Sequence, residues 1–76
     1  MTETTLPPLT LTRRERQCLT LLAKGLRVDA IAGTLGTAPQ TVEKQIAEAR
    51  AKLGARTATQ AVVIALQHNL LDAADV

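Results

Sequence analysis

A chain of 76 residues has room for one domain, and a domain of that size buries only about 60% of the surface its unfolded form exposes, so its core must be compact. Phe, Tyr and Trp are absent, which leaves Leu, Ile, Val, Ala, Cys18 and Met1 to build that core and disfavours a cavity for a cofactor. Nine basic and seven acidic residues give a net charge of only +2. Setting aside the first nine residues and everything after Leu71 leaves nine basic and four acidic residues, a net +5, which suits a polyanionic partner or an ordinary solvated surface.

Taken in chain order, Met1 to Pro8 combines Thr, Glu and a Pro pair without periodicity and reads as a flexible arm. It has neither the basic region nor the apolar stretch of a secretory signal. Thr12-Arg13-Arg14-Glu15 has capping-box spacing, and Cys18, Leu19, Leu22 and Ala23 recur at helical intervals up to Gly25. The first helix is therefore predicted at about 13–24. Cys18 lies among leucines and reads as a buried thiol, since one cysteine makes no internal disulfide.

Val28, Ile31, Ala32 and Leu35 predict a second helix over 28–35, stopped by Gly36. Pro39 suits a first helical turn, and Val42, Ile46, Ala49 and Leu53 form the buried stripe of a third helix over 39–53, ended by Gly54. Thr57 and Gln60 repeat the capping-box spacing and open a fourth helix, about 58–69. The fold class is all-α, with a domain over 9–71 between the arm 1–8 and a tail 72–76. The longest strongly apolar run, Ala61 to Leu66, falls far short of the roughly 20 residues that span a bilayer, so a soluble, cytoplasmic protein is expected.

The turn between the second and third helices is only Gly36 to Ala38. Such a turn fits a helix-turn-helix, whose second helix enters the DNA major groove, and it also fits a plain helical bundle. No enzyme is expected: the single His and single Cys sit on different helices, without a carboxylate cluster or a glycine-rich phosphate loop. No cofactor or metal is expected either, and His68 reads as a cap-region or surface residue.

The order Leu11-Thr12, Arg14-Glu15, Leu22-Ala23, Gly25-Leu26, Ile31-Ala32, Leu35, Thr41-Val42-Glu43-Lys44, Lys52-Leu53-Gly54, Thr59-Gln60-Ala61-Val62 resembles the LuxR-type, or GerE-type, helix-turn-helix domain over about residues 9–71. That resemblance implies a four-helix output module of transcription regulators that binds double-stranded DNA as a dimer through its last helix. Relatives usually carry a receiver or ligand-binding domain ahead of the module, so the chain is expected to be either a natural single-domain regulator or an excised output domain. Arg27 stands where the family usually has a helix-capping Ser, Thr or Asn and Ala38 where it usually has Ser, which predicts caps weaker by about 1 kcal/mol each. Gln45 replaces the usual His, Ala47 a frequent basic or polar residue, and Glu43 a frequent Lys or Arg.

Each helical residue turns the axis by about 100°. With the stripe of Val42, Ile46, Ala49 and Leu53 facing inward, the outward row is Gln40, Lys44, Ala47 and Ala51, flanked by Glu43 and Glu48. Residues near the N-terminus of a recognition helix usually reach base edges, so Gln40, Glu43 and Lys44 are the candidate readers: Gln40 for adenine, Lys44 for guanine, Glu43 for the cytosine amino group. Gln45 completes the DNA-facing set. Thr41, Lys52 and Arg56 are candidate phosphate donors at the margins, with Arg13, Arg14 and Arg16 as further surface cations. A plain solvated role for Glu43 pairs it with Arg50.

The fourth helix is apolar all round, which calls for burial on two sides. One side is the core. A second subunit is the expected cover for the other, through Val63, Leu66 and Leu70, either as a homodimer or as a heterodimer with a related regulator. Two readings compete with a DNA-binding dimer. The fourth region of bacterial sigma factors shares the Leu-Thr-x-Arg-Glu-like opening but fits a well-formed fourth helix poorly. A stand-alone module that pairs through helix 4 with a larger regulator and inhibits it would explain the loss of basic residues at Glu43, Gln45, Ala47 and Glu48.

Overall fold

The computed structural model describes residues 10–71. The arm predicted over 1–8 and the tail over 72–76 lie outside the described residues. Four helices follow one another, α1 (Arg13–Ala23), α2 (Val28–Leu35), α3 (Pro39–Leu53) and α4 (Ala58–Gln67), with no strand among the described residues. The all-α expectation therefore holds, and the second and third helices have the predicted bounds.

Local chemistry accounts for most of the ends. Thr12 Oγ1 accepts from the Glu15 N–H at 3.1 Å while Glu15 Oε1 accepts from the Thr12 N–H at 2.9 Å, a complete capping box. The box predicted at α4 forms only in part. Thr57 Oγ1 does accept from the Gln60 N–H at 3.0 Å, but the Gln60 side chain reaches back past Thr57 to the Arg56 N–H at 2.7 Å. Arg27 and Ala38 precede α2 and α3 in extended conformation with no side-chain cap, as their residue types imply.

The C-terminal ends share one device. Gly36 and Gly54 adopt the left-handed conformation, φ 68° and 67°, and the next residues, Thr37 and Ala55, donate back to Ala32 and Arg50 carbonyls. At α4 the same closure uses Asn69, the one non-glycine residue among those described with positive φ, at 58°; Leu70 donates to the Ala65 carbonyl at 2.8 Å. Asn tolerates this region because its short polar side chain bonds locally. That substitution for glycine explains why α4 stops at Gln67, two residues before the predicted end.

The core has two halves that share α1 and α3. Leu19, Ala49, Leu53, Ala61, Ala65 and Leu71 join α1, α3 and α4, while Cys18, Ile31, Ala32, Val42 and Ile46 join α1, α2 and α3. The stripe read from the sequence, Val42, Ile46, Ala49 and Leu53, is buried along its whole length, so α3 has both core halves beneath it and its opposite face free. Burying a Leu, Ile or Val side chain stabilises by roughly 1.5–3 kcal/mol, which fixes the roll of α3 about its axis. Roll is what decides which side chains α3 presents.

Candidate nucleic-acid interface

α2 and α3 are joined by the three residues between Leu35 and Pro39, and Val42 and Ile46 of α3 pack with Ile31 and Ala32 of α2. Since the roll is fixed by this packing, the outward row follows: Gln40, Lys44, Ala47 and Ala51 are all exposed. Thr41, Glu43 and Glu48 are exposed beside them, whereas Gln45 is half-buried on the flank. Six of the seven candidate DNA-facing residues, Gln40, Thr41, Glu43, Lys44, Lys52 and Arg56, are thus solvent-accessible, and the row from Gln40 to Lys44 lies within the first two turns of the helix.

The margins of α3 are occupied by contacts that sequence periodicity does not reveal. On one side Lys52 Nζ donates to Glu15 Oε1 at 2.8 Å, the one ion pair among the described residues. Glu15 stands in the first turn of α1 and Lys52 in the last turn of α3, each at the helix end where its charge is favoured. Burial of the Glu15 carboxyl pushes its pKa up, but the Lys52 hydrogen bond, the Thr12 N–H, the Lys52 charge and the Thr12 hydroxyl together outweigh this and hold it below the ordinary value.

On the other side Arg50 Nη2 donates to the Arg56 carbonyl at 2.6 Å, tying α3 to the loop before α4. Arg50 is therefore not the partner of Glu43. Glu43 and Glu48 have no ion-pair partner among the described residues. Arg13 and Arg14, with Gln17, line an open depression at the start of α1, on surface that remains solvated.

α4 carries no charged side chain. Ala61 and Ala65 are buried, and Val62, Ile64, Leu66 and Leu70 are half-buried against the core. Val63, at 46% exposure, is the one large hydrophobic side chain left open among the described residues. Of the three candidate contact residues, Val63 is free, while Leu66 and Leu70 divide their surface between the core and solvent. His68 is the exposed C-cap of α4. Cys18 is fully buried, and burial pushes its thiol pKa up, with the Arg14 charge opposing and the Glu15 charge adding.

Sequence reasoning used Glu15 only as a helix cap and missed its second role as the anchor of Lys52. The two stand 37 positions apart, on helices whose relative placement no local pattern encodes. In the sequence Arg50 stands only as a surface base able to pair with Glu43, and nothing local to it points to the Arg56 carbonyl.

Two helices across a three-residue turn, the second rolled so that a polar, partly basic row faces solvent, define a helix-turn-helix domain of the DNA-binding class. The family described as bacterial regulatory proteins, luxR family, matches residues 9–65, and the chain belongs to it. It is 43% identical over 61 residues to the transcriptional regulatory protein YdfI of Bacillus subtilis (strain 168), a match that covers 80% of this chain and 29% of that protein. It is 39% identical over the same length to the response regulator protein VraR of Staphylococcus aureus (strain NCTC 8325 / PS 47), with the same coverage. The chain thus spans under a third of the length of these relatives. Among solved structures, the transcription factor GerE superposes with a TM-score of 0.78 at 31% identity, covering 82% of this chain and 92% of that one. The phage VqmA–DPO complex superposes with a TM-score of 0.73 at 35% identity, covering 82% and 28%.

Proposed function

We propose that the chain regulates transcription by binding a specific duplex sequence as a dimer, with α3 in the major groove. The observation that carries this reading is the exposed row at the start of α3: Gln40, Glu43 and Lys44 are exposed, with no side-chain partner among the described residues, and stand where a recognition helix meets base edges. Lys44 donates to guanine, Gln40 pairs with adenine and Glu43 accepts from the cytosine amino group. Thr41 and Arg56 hold phosphates on the margins, with Gln45 beside them on the flank. Lys52 shares that margin, its ammonium divided between Glu15 and any phosphate that docks.

The second subunit pairs along α4, centred on Val63 and extended by Leu66 and Leu70. A helix without charge meets its own copy with no like-charge repulsion, which supports a homodimer and also tolerates a heterodimer with a related regulator. One observation favours a second reading, a pairing module that inhibits a larger regulator: the carboxylates of Glu43 and Glu48, without an ion-pair partner among the described residues, flank the row and repel phosphates.

Selection of preferred sequences from a random duplex pool separates the two readings. Enrichment of a defined site, with preference relaxed by Lys44→Ala, supports specific binding. A pool that stays random, together with weak affinity insensitive to salt, leaves only the pairing role.

A further inference from the structure

The Glu15–Lys52 pair contributes nothing to base readout, yet it lies on the margin where α3 would meet the DNA backbone. Its two members are unequal. The Glu15 side chain is 2% exposed and the Lys52 side chain 43%. Glu15 Oε1 accepts from both the Thr12 N–H and the Lys52 ammonium, at 2.9 and 2.8 Å, so the carboxylate is fixed by the capping box and cannot turn away. The lysine has three donors, one of which is committed to Glu15, and an open side toward solvent. A phosphate that approaches Lys52 therefore meets a positive charge with a fixed negative charge directly behind it. Lys44 and Arg56 are exposed as well and have no carboxylate partner among the described residues.

We propose that Glu15 limits the sequence-independent part of DNA affinity by cancelling most of the charge that Lys52 presents to phosphate. This rests on the DNA-binding reading above. The backbone component of binding scales with the number of phosphates neutralised and is the same for every sequence, so an internal counter-charge on one cation lowers background binding while leaving Gln40, Glu43 and Lys44 to choose the site. The pair thereby does two things at once: it clamps the last turn of α3 to α1, and it removes one cation from the count that a sequence reading assigns to DNA.

Glu15→Gln isolates the charge, because Gln at this helix position still completes a capping box and its side-chain oxygen still accepts from Lys52. Affinity of the whole chain for a short duplex of random sequence is measured by fluorescence anisotropy between 50 and 200 mM salt, with helicity checked by circular dichroism. The salt slope of Glu15→Gln is expected to steepen by about 0.5–0.9, since each phosphate neutralised contributes about 0.9. That amounts to a loss about 2- to 3.5-fold greater than the parent's across this range, together with tighter binding at 50 mM. A folded Glu15→Gln with the parental slope overturns the proposal while leaving the DNA-binding reading intact. A parent with no salt-dependent binding overturns both. Should Glu15→Gln fail to fold, Lys52→Met is compared with Arg56→Met: a slope change less than half as large for Lys52 supports the cancellation, and equal changes refute it.

Discussion

The start of α3 is the point where a single substitution should strengthen the domain most simply. Ala38 precedes the helix with φ −82° and ψ 150°, the extended geometry of an N-cap and the one favoured before proline, but its methyl group offers no acceptor. Pro39 has no N–H to satisfy, and the Thr41 N–H bends back to the Ala38 carbonyl at 3.0 Å, so part of the usual deficit is already met. Ala38→Ser places an acceptor within reach of the Gln40 and Thr41 N–H groups at an exposed position, where nothing must be repacked. Capping changes are worth about 0.5–2 kcal/mol; with Pro39 and Thr41 already compensating, about 0.5–1 kcal/mol is expected. For a domain of this size that is a rise in Tm of about 2–8 °C. Thermal and urea unfolding followed by circular dichroism measure it, with Thr57→Ala as the reverse control, since Thr57 makes the bond that Ala38 lacks. If Thr57→Ala lowers Tm while Ala38→Ser leaves it unchanged, the start of α3 is not under-capped and the reasoning fails.

Three further outcomes follow from the geometry. Val63→Asp puts a charge at the centre of the exposed face of α4 without touching the core, so it should abolish dimerisation in sedimentation while leaving helicity and Tm near parental; a parent already monomeric at high concentration, with and without DNA, removes α4 as the interface. Glu15 has its pKa held below the ordinary 4.5, so its contribution to stability is complete above that value and is lost as pH falls through the lower folded-state pKa; acid unfolding of Glu15→Gln should show a shallower loss below pH 4.5 than the parent, and identical profiles would remove Glu15 from the acid response. Cys18 is fully buried with a raised pKa, so its reaction with a thiol reagent at neutral pH should accelerate with urea in step with unfolding, whereas fast labelling of the folded chain contradicts the packing.

What could be read from the sequence was what depends on neighbours along the chain. The stripe of Val42, Ile46, Ala49 and Leu53 sets the roll of α3 from local spacing alone, and with it the outward row from Gln40 to Ala51. Glycines at 36 and 54 marked helix ends because they supply a left-handed residue at no steric penalty. Asn69 does the same work with a weaker signal, so periodicity alone places the end of α4 two residues beyond Gln67. The contacts that went unread all cross between elements: Lys52 to Glu15, Arg50 to the Arg56 carbonyl, and Gln60 to the Arg56 N–H instead of Thr57. Lys52 illustrates the consequence. Its position along α3 makes it a candidate phosphate donor, and only the placement of α1 shows that its ammonium already has a carboxylate partner.

These contacts bear on why the proposed DNA binding would rest on two subunits. The exposed face of α3 offers one lysine, Lys44, with Arg56 beyond its end, against two carboxylates, Glu43 and Glu48, that have no ion-pair partner among the described residues. On the proposed reading the alanines at 47 and 51 would add little beyond room for the groove, and the proposed attenuation of Lys52 would weaken the backbone contribution further. A single α3 with that inventory would make few phosphate contacts, and each phosphate left un-neutralised removes its share of the counterion-release affinity. Joining two such helices through α4 makes the second docking intramolecular, and its effective concentration raises affinity without a new contact. A homodimer also fixes the distance between the two α3 helices, so only sites with matching half-site spacing engage both. A modest basic face is then an advantage for selectivity, because one-helix binding to arbitrary sequence stays weak while the correctly spaced pair gains the full effect of the second helix.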